Sequence, residues 1–407
     1  MRKKENYTIT GSSRGYSIKA GKYKMNEQTS KLTSPWKRLL ACLSERKLPW
    51  RLAKAIEQLD ELINEKILRR KRLKSINLAL STLCDADCIF CPSDRGEKIK
   101  QKIMPLKFAE KIINEISSRK FRRRHRVKRI IVSEGGEPFL NKDIIEILKL
   151  IKSRLPQPLV WINTNFQTVS PDKSRIILEE GLIGQMACNI DGSNAQNYFS
   201  VKKLDYDKVM HNIKEFLRIR NELNSRVGLT VRILSLHKYI HTIHEKLGVY
   251  PKKLKDPGLI NVPDDTQLIV EQLKKILDMN KDIIYVSGAA RWAEREQVDT
   301  SKIDYKKYHC GMLGEIESSA FIAPDGSWYI CCDDSKNEVI LGNVITQSID
   351  EVFRSKRRKT IIKMLKEQRF AEIGGPCKTV ICCCGQIKDM DVKTGVYGNE
   401  AGNLTAH

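Results

Sequence analysis

Three cysteines, Cys84, Cys88 and Cys91, stand close together in the segment CDADCIFC. Thiolates at this pitch on a loop can bind three irons of one cubane cluster, and a fourth iron without a thiolate stays open to bind and activate a ligand. A structural zinc site is one alternative, but zinc usually has four protein ligands and no further cysteine or histidine lies nearby in the sequence. Buried thiols without a metal are the other alternative. We favour an iron–sulfur cluster.

The same segment resembles the cluster-binding signature of the radical S-adenosylmethionine (SAM) superfamily. The resemblance implies that Cys84, Cys88 and Cys91 hold a 4Fe-4S cluster whose fourth iron chelates SAM through its amino and carboxylate groups. It also implies reductive cleavage of SAM to a 5′-deoxyadenosyl radical, which takes a hydrogen atom from the substrate. In such enzymes the cofactor carries the chemistry, and the protein positions the reactants and excludes water.

The elements that position these cysteines alternate regularly between strands and helices. Six strands are predicted, at Ile76–Leu80, Arg129–Val132, Leu159–Ile162, Met186–Ile190, Val227–Leu234 and Ile283–Val286. The helices between them begin at Pro105 and after a cap at Asn141, and span Lys173–Glu180, Tyr206–Leu223 and Thr266–Leu277. Six strands separated by helices require a parallel sheet with right-handed crossovers. We predict an α/β fold, a partial (β/α)6 TIM-like barrel, whose chemistry lies on loops at the carboxyl ends of the strands.

The glycine-rich segment after the second predicted strand is the next candidate. Paired glycines let backbone approach a ligand closely. By the resemblance, the segment matches the GGEP motif that binds the SAM amino group, formed here by Gly135, Gly136, Glu137 and Pro138. The third strand ends at Asn163, Thr164 and Asn165, where relatives often carry a similar Thr-Asn pair. We therefore expect Asn163 and Asn165 in the SAM site.

The fourth and fifth strands supply three further candidates. Asn189 and Asp191 belong to a segment that resembles a Ser-Ile-Asp-Gly signature, with asparagine where serine is usual. Strand alternation puts both on one face, which we expect to line the site, and puts Cys188 on the opposite face against helices. Arg232 on the fifth strand is a candidate for the SAM carboxylate, with a surface position as the alternative.

Cysteines return near the end of the chain. Residues 321–330 predict a hairpin turning at Asp325-Gly326, and a helix is predicted from Ile349 to about Lys366. The spacing of Cys310, Gly326 and Cys331 and a later Leu-Gly-Asn-Val step resemble the SPASM/twitch extension of radical SAM enzymes. The resemblance implies one auxiliary 4Fe-4S cluster, ligated by Cys310, Cys331, Cys377 and either Cys382 or Cys383. A zinc ribbon is the alternative.

The first 72 residues differ in character from the rest. Residues 1–29 are polar and predict a disordered or loosely docked arm. Apolar residues recur at helical spacing from Pro35 to Ile67, which predicts helices that pack against the enzyme body, and no convincing strand is present. We expect four regions: this extension (1–72), the partial barrel (73–300), a small α+β cysteine-rich SPASM/twitch domain (301–390) and a polar tail (391–407).

The composition limits the binding partners and the cellular compartment that we expect. The 407 residues include 73 Lys and Arg against 49 Asp and Glu, for a net charge of +24. A basic surface attracts anionic substrates, nucleic acid or an acidic electron donor such as flavodoxin or ferredoxin. The densest basic runs, at 69–72 and 122–126, lack aromatic residues for base stacking, so we do not expect nucleic acid. Neither a signal peptide nor a membrane span is predicted, and clustered cysteines fit a reducing cytoplasm.

The auxiliary cluster narrows the expected reaction. A cluster with four thiolate ligands has no open iron, but it can accept or give an electron. This fits oxidation of an alcohol to a ketone on a sugar or aminocyclitol, or epimerisation if a spare cysteine such as Cys332 returns the hydrogen. Modification of a ribosomally made peptide is the alternative, less favoured because residues 1–72 lack strands. A basic iron–sulfur protein that binds nucleic acid without radical chemistry is the alternative from another class.

Overall fold

The N-terminal part of the chain contains a hairpin that the sequence did not predict. The computed structural model describes residues 9–12, 15–18, 71–89, 91, 102–132, 135–155, 158–235, 263–288, 299–380 and 395–397. The chain divides into two compact units, Met1–Lys71 and Arg72–His407. In the first unit, strands β1 (Ile9–Ser12) and β2 (Gly15–Ile18) pair antiparallel, with Ser12 opposite Gly15.

The prediction that residues 1–72 lack strands is therefore wrong. The four residues of each strand pair along their whole length, from Ile9 opposite Ile18 to Ser12 opposite Gly15. The helices predicted between Pro35 and Ile67 lie outside the described residues.

Within the described ranges, ten strands of the second unit form one sheet. These are β3 (Ser75–Leu78), β4 (Arg129–Val132), β5 (Leu159–Asn163), β6 (Gln185–Asn189), β7 (Gly228–Ser235), β8 (Ile283–Gly288), β9 (Ser319–Ile322), β10 (Ser327–Tyr329), β11 (Ile340–Asn343) and β12 (Gly395–Tyr397). Their order in the sheet is β11-β10-β9-β3-β4-β5-β6-β7-β8-β12. Neighbouring strands from β9 through β3 to β8 are parallel, whereas β10 and β12 are antiparallel to β9 and β8.

All six predicted strands of the barrel form, parallel and in chain order. The sheet remains open, because β11 and β12 are its edges within the part of the chain that the structure describes. The prediction of an α/β partial barrel is thus confirmed. The predicted hairpin is β9–β10, and it joins the barrel through β9, which pairs with β3 from Ser75 opposite Ser319 to Leu78 opposite Ile322.

Helices connect the parallel strands and cover one side of the sheet. They are α1 (Leu106–Ser117), α2 (Arg119–Arg124), α3 (Ile144–Arg154), α4 (Pro171–Glu179), α5 (Ala195–Lys202), α6 (Tyr206–Glu222) and α7 (Thr266–Lys274). Beyond the barrel follow α8 (Leu313–Ser318), α9 (Ile349–Arg354), α10 (Lys356–Lys366), α11 (Phe370–Ile373) and α12 (Gly375–Thr379). No helix in the described ranges has the length and apolar character needed to cross a membrane.

Two helix predictions need correction. Asn141 does not cap α3: its side-chain oxygen accepts a hydrogen bond from the Asp143 amide at 2.9 Å, and its amide nitrogen donates to the Leu80 and Met104 carbonyls. The predicted helix from Ile349 to Lys366 is two helices, α9 and α10. It breaks at Ser355, whose hydroxyl accepts from the Arg358 amide at 3.1 Å and so starts a new helix.

The two faces of the sheet have different chemistry. Residues paired across neighbouring strands share a face, because side chains alternate along a strand. One face is apolar and buried, and it forms one core with the inward sides of α1, α3, α4 and α6. This face carries Ile76, Leu78, Ile130, Val132, Val160, Ile162, Met186, Cys188, Leu229, Val231 and Ile284. The opposite face carries the polar and aromatic side chains, including Asn77, Trp161, Asn163, Asn189, Thr230, Arg232 and Tyr285.

Candidate active site

The cysteine loop leaves β3 at its carboxyl end, as the sequence predicted. Cys84, Cys88 and Cys91 are each half-buried, and none is in a disulfide. The Cys91 amide donates to the Cys88 carbonyl at 3.0 Å, which closes a turn between these two thiols. The loop is also fastened from outside, because the amides of Asp87 and Ile89 donate to the last carbonyls of α5, each at 3.0 Å. A helix C-terminus thus holds the middle of the loop in place.

The glycine-rich loop after β4 packs against the start of the cysteine loop. Gly136 lies so close to the backbone that a Cβ there would be 2.2 Å from the Leu83 carbonyl oxygen. Gly135 has a φ of +85°, a conformation that favours glycine. The Glu137 amide donates to the Leu83 carbonyl at 2.7 Å. Pro138 is buried and opens a single turn of 3₁₀ helix, Pro138–Leu140. The loop can approach this closely only because Gly136 has no side chain.

The side chain of Glu137 joins the glycine-rich loop to the loop after β5. Its carboxylate accepts hydrogen bonds from the Thr164 hydroxyl at 2.8 Å, the Asn165 amide at 2.7 Å and the Phe139 amide at 3.1 Å. Burial raises the pKa of Glu137 to about 7, against the lowering effect of these three donors. The Asn165 side chain in turn donates to Asp85 in the cysteine loop at 2.5 Å. Three loops are therefore joined in one network.

Three predicted site residues lie on the polar face of the sheet. Asn189 is paired with Arg232 across β6 and β7, and Asn163 ends the neighbouring strand β5; all three are half-buried. Trp161 donates its indole N–H to the Asn163 side-chain oxygen at 3.0 Å. The Arg232 guanidinium lies 5.9 Å from the centroid of the same indole ring. Amide groups thus lie at the carboxyl ends of β5 and β6, and the guanidinium group lies level with them in the middle of β7.

Asp191 does not line the site as predicted. It is 4% exposed, accepts a hydrogen bond from the Leu234 amide at 2.8 Å and lies 3.1 Å from the Nζ of Lys202. The alternation argument failed because β6 ends at Asn189, so the next residues leave the strand and turn inward. Cys188 occupies the opposite face, as expected, and burial raises the pKa of its thiol to about 12. Asp191 is a buried connection between β6, β7 and α5.

Three of the predicted auxiliary ligands lie within the described residues. Cys331 and Cys377 are buried and Cys310 is partly buried. Burial raises the pKa of all three thiols, to about 11 for Cys310. Negative charge on Cys377 further raises the pKa of Cys331, and negative charge on Cys310 further raises the pKa of Cys377. Cys332 is exposed, and both Cys382 and Cys383 lie outside the described residues.

Sequence reasoning missed two buried charged residues. Lys202, at the end of α5, lies against the cysteine loop, and Asp333 is 7% exposed beside the second cysteine group. Burial raises the pKa of Asp333 to about 6, and its Oδ2 atom accepts no hydrogen bond from the part of the chain that is described. Neither residue belongs to a recognisable motif. Only their partners, which are distant in sequence, mark them.

The residues present fit the cofactors that the motifs imply. The cysteine loop offers three thiols, and the glycine-rich loop offers backbone at the distance that only glycine allows. No group of three or more Cys, His, Asp or Glu side chains within the described ranges is gathered closely enough to hold a single metal ion. A cubane distributes its thiolate ligands over separate irons.

Comparisons with known proteins identify both cysteine-containing regions. A model of the radical SAM superfamily matches residues 78–235, and a model named SPASM, an iron–sulfur cluster-binding domain, matches residues 310–384. Together they span more than half of the chain. The second match supports an iron–sulfur site over the zinc ribbon considered above. No curated protein matches the chain in sequence.

Solved structures share the fold at low sequence identity. SuiB from Streptococcus suis bound to S-adenosylmethionine is 15% identical with a TM-score of 0.50, over 83% of this chain and 79% of that chain. BtrN in complex with AdoMet and 2-DOIA is 14% identical with a TM-score of 0.46, over 76% of this chain and 92% of that chain. The structure of anSMEcpe with bound AdoMet is 15% identical with a TM-score of 0.45, over 72% of this chain and 80% of that chain. From the two matched regions and the open parallel sheet, we conclude that the chain belongs to the radical SAM superfamily, carries a C-terminal SPASM domain, and uses SAM and 4Fe-4S clusters as cofactors.

Proposed function

We propose that this protein is a radical SAM enzyme that takes a hydrogen atom from a carbon of a sugar- or aminocyclitol-type small molecule and leaves that carbon oxidised or epimerised. The first cluster and SAM, when bound, supply the hydrogen-abstracting radical. In this proposal the first cluster is held by Cys84, Cys88 and Cys91, and the auxiliary cluster by Cys310, Cys331, Cys377 and either Cys382 or Cys383. SAM is held by Gly135, Gly136, Glu137, Pro138, Asn163, Asn165, Asn189 and Arg232.

The observation that carries the proposal is the polar face of the sheet beside the cysteine loop. Asn163, Asn189 and Arg232 are half-buried there, so their donors and acceptors face a partly enclosed space. Side-chain amides suit the ribose hydroxyl groups of SAM and those of a sugar ring bound beside it, and the guanidinium suits the SAM carboxylate. The half-burial of these groups excludes much of the water that would compete for the same hydrogen bonds.

Oxidation needs a second electron acceptor. After an alcohol carbon has lost a hydrogen atom, it becomes a ketone only by losing the hydroxyl proton and one more electron. Cys310, Cys331 and Cys377 lie in the same compact unit as the first cysteine loop, and a cluster with thiolate ligands can take that electron. An electron donor such as flavodoxin or ferredoxin reduces the first cluster before each turnover.

Epimerisation needs a hydrogen donor in place of the acceptor. Cys332 is exposed while its neighbour Cys331 is buried, and in this reaction its thiol returns a hydrogen atom to the opposite face of the carbon. The thiyl radical that remains regains one electron from the reduced auxiliary cluster and one proton from water. Thiol hydrogen exchanges with water. Turnover in D₂O therefore separates the two reactions: an epimer carries one deuterium at the reacting carbon and is lost in the Cys332→Ser variant, whereas a ketone forms in either protein.

The general activity is tested with anaerobically reconstituted protein, dithionite and SAM. The proposal expects release of 5′-deoxyadenosine that stops in Cys88→Ala and rises with an acceptable sugar or aminocyclitol. Tight RNA binding without any 5′-deoxyadenosine would instead identify an iron–sulfur nucleic-acid-binding protein and overturn the proposal.

The hairpin β1–β2 favours a second candidate, a maturase that modifies a ribosomally made peptide. Within the described residues these two strands pair only with each other, so their outer edges can accept an extended peptide as a further strand. Neighbouring genes discriminate between the candidates. Glycosyltransferase genes would favour the small molecule, and a short precursor-peptide gene would favour the peptide.

A further inference from the structure

A buried cation lies directly behind the cysteine loop. Lys202 is the last residue of α5; only 7% of its side chain is exposed, and its Nζ atom lies 3.1 Å from the fully buried Oδ2 of Asp191. Taking an ammonium group out of water is costly unless a negative partner compensates for it. Asp191 is held in turn by the Leu234 amide at 2.8 Å, so the pair has a fixed position in the fold.

The same lysine contacts the cysteine loop on its other side. Its backbone carbonyl accepts a hydrogen bond from the Asp87 amide at 3.0 Å, and the carbonyl of Val201 accepts one from the Ile89 amide at 3.0 Å. These two bonds flank Cys88 in the sequence. The end of α5 therefore packs against the part of the loop that carries the middle cysteine.

The buried ion pair keeps a positive charge next to this part of the loop. The Asp191 carboxylate beside the Nζ atom stabilises the charged form of the buried lysine. The ammonium group of Lys202 therefore belongs to the helix end whose last two carbonyls hold the residues on either side of Cys88.

We propose that Lys202 is a positioning residue for the cluster held by Cys84, Cys88 and Cys91. Its fixed positive charge behind Cys88 raises the reduction potential of this cluster and so favours one-electron reduction of the cluster. The inference rests on the proposed function of these cysteines. Reduction adds one negative charge to the cluster. A nearby cation stabilises that charge more strongly in a medium of low dielectric constant than the same cation would in water. The Asp191 carboxylate keeps the ammonium group in place but, being negative, opposes part of its effect.

The test is a redox titration of anaerobically reconstituted protein, followed by electron paramagnetic resonance in the absence of SAM. The signal of the first cluster is the one that is missing in Cys88→Ala and that changes when SAM is added. At the wild-type midpoint, where oxidised and reduced forms are equal, we expect the ratio of reduced to oxidised cluster to fall about tenfold in Lys202→Met. Lys202→Arg keeps the charge and should stay near wild type, and Asp191→Asn should raise the ratio.

Lys203→Met is the matched control. Lys203 is the next residue but is exposed, and its Nζ atom lies 5.3 Å from the centroid of the Phe199 ring. Its removal lowers the net charge of the protein by the same amount and should leave the midpoint unchanged. An equal shift in Lys203→Met would mean that overall charge, not the buried lysine, sets the potential.

A second comparison separates a change in the reduction potential from a loss of the cluster through misfolding. If Lys202→Met loses iron because Asp191 is left unpaired, the double variant Lys202→Met, Asp191→Asn removes both charges, and its midpoint should lie below that of Asp191→Asn alone. An unshifted midpoint at full iron content would overturn the inference while leaving the cluster assignment intact. Absence of any signal that depends on Cys88 and SAM would overturn the proposed function itself.

Discussion

Gly136 and Glu137 connect the two loops that the proposed SAM site requires. Gly136 lies against the backbone of Ser81, Thr82 and Leu83, just before the first cysteine. Glu137 binds the loop after β5 through its carboxylate and the cysteine loop through its amide. A change at either residue therefore alters the position of the cysteines without touching a thiol.

Replacing Gly136 by alanine should displace the cysteine loop. The new Cβ would be 2.2 Å from the Leu83 carbonyl oxygen, and backbone must move to relieve that contact. We expect a loss of about 1–3 kcal/mol in stability and a lower affinity for SAM, measured by anaerobic thermal unfolding and equilibrium dialysis. Gly314→Ala is the control, because a Cβ there has no neighbour within 4 Å. Equal behaviour of the two variants would contradict the close packing.

Glu137 should make stability fall as the pH rises. Its pKa is raised from 4.5 to about 7 in the folded state, so the folded protein holds this proton more tightly than the unfolded chain does. Its ionisation therefore costs stability between pH 4.5 and 7, by about 1–3 kcal/mol. Relative to Glu137→Gln, which does not titrate, the wild type should lose stability across this window and no further above it. Parallel pH profiles of the unfolding midpoint would refute this.

A site residue could be predicted where local sequence spacing determines its role, and could not be predicted where tertiary contacts do. The spacing of Cys84, Cys88 and Cys91 indicated a cluster loop, and Gly136 was predicted from its resemblance to the GGEP motif after the second strand. Lys202 and Asp333 depend on burial and on partners in other elements, which no local pattern encodes. Asp191 was misplaced for the same reason: its position depends on where β6 ends, and strand ends are set by pairing with neighbours.

At the scale of elements, α2 and α9 are joined by a buried histidine. The Leu73 amide donates to Nδ1 of His125 at 3.2 Å, so the ring proton is on Nε2, which lies 3.0 Å from Oδ1 of Asp350. Burial lowers the pKa of His125, in spite of Asp350. The ring also contacts Phe353 at 4.9 Å between centroids. This contact fastens the SPASM region to the barrel.

Removing Asp350 should loosen that contact. In Asp350→Ala the buried Nε2–H of His125 loses its acceptor, which costs about 1–3 kcal/mol. The urea midpoint of the anaerobic protein should fall accordingly. Glu372→Ala is the control: its ion pair with Arg369 is exposed on both sides, and its loss should leave the midpoint nearly unchanged. A midpoint for Asp350→Ala equal to that control would refute the role of the histidine.

Elements with strong hydrophobic patterns were predictable, and those set by a single polar residue were not. Five of the six barrel strands carry buried Val, Ile or Leu, and β6 carries buried Met186, Ala187 and Cys188, so their existence followed from the apolar pattern. The break at Ser355 was missed because lysines and arginines on both sides continue the helical pattern. The hairpin at 9–18 was missed because its strands are four residues each and contain few apolar residues.

At the scale of the whole molecule, one continuous sheet carries both cysteine groups. β3 leads into Cys84, and β9 beside it leads through β10 into Cys331. The first strand of the SPASM region, β9, extends the sheet of the barrel by pairing with β3. That pairing joins residues more than 200 positions apart, so no local pattern could reveal it.

Iron content tests the two-cluster composition. The reconstituted wild-type protein should contain about eight irons per chain, and Cys377→Ala about four. The variant should keep the SAM-dependent signal of the first cluster, because its ligands lie in a different loop. About four irons in the wild type would remove the auxiliary cluster and with it the proposed oxidation.

The most direct test of the central claim is the electron paramagnetic resonance spectrum of the reduced protein with and without SAM. A cluster held by Cys84, Cys88 and Cys91 has one iron without a thiolate, so SAM that binds to this iron must change the spectrum. We predict such a change in the wild type and in Cys377→Ala, and its loss in Cys88→Ala. A spectrum that SAM leaves unchanged in fully reconstituted wild-type protein would contradict the account.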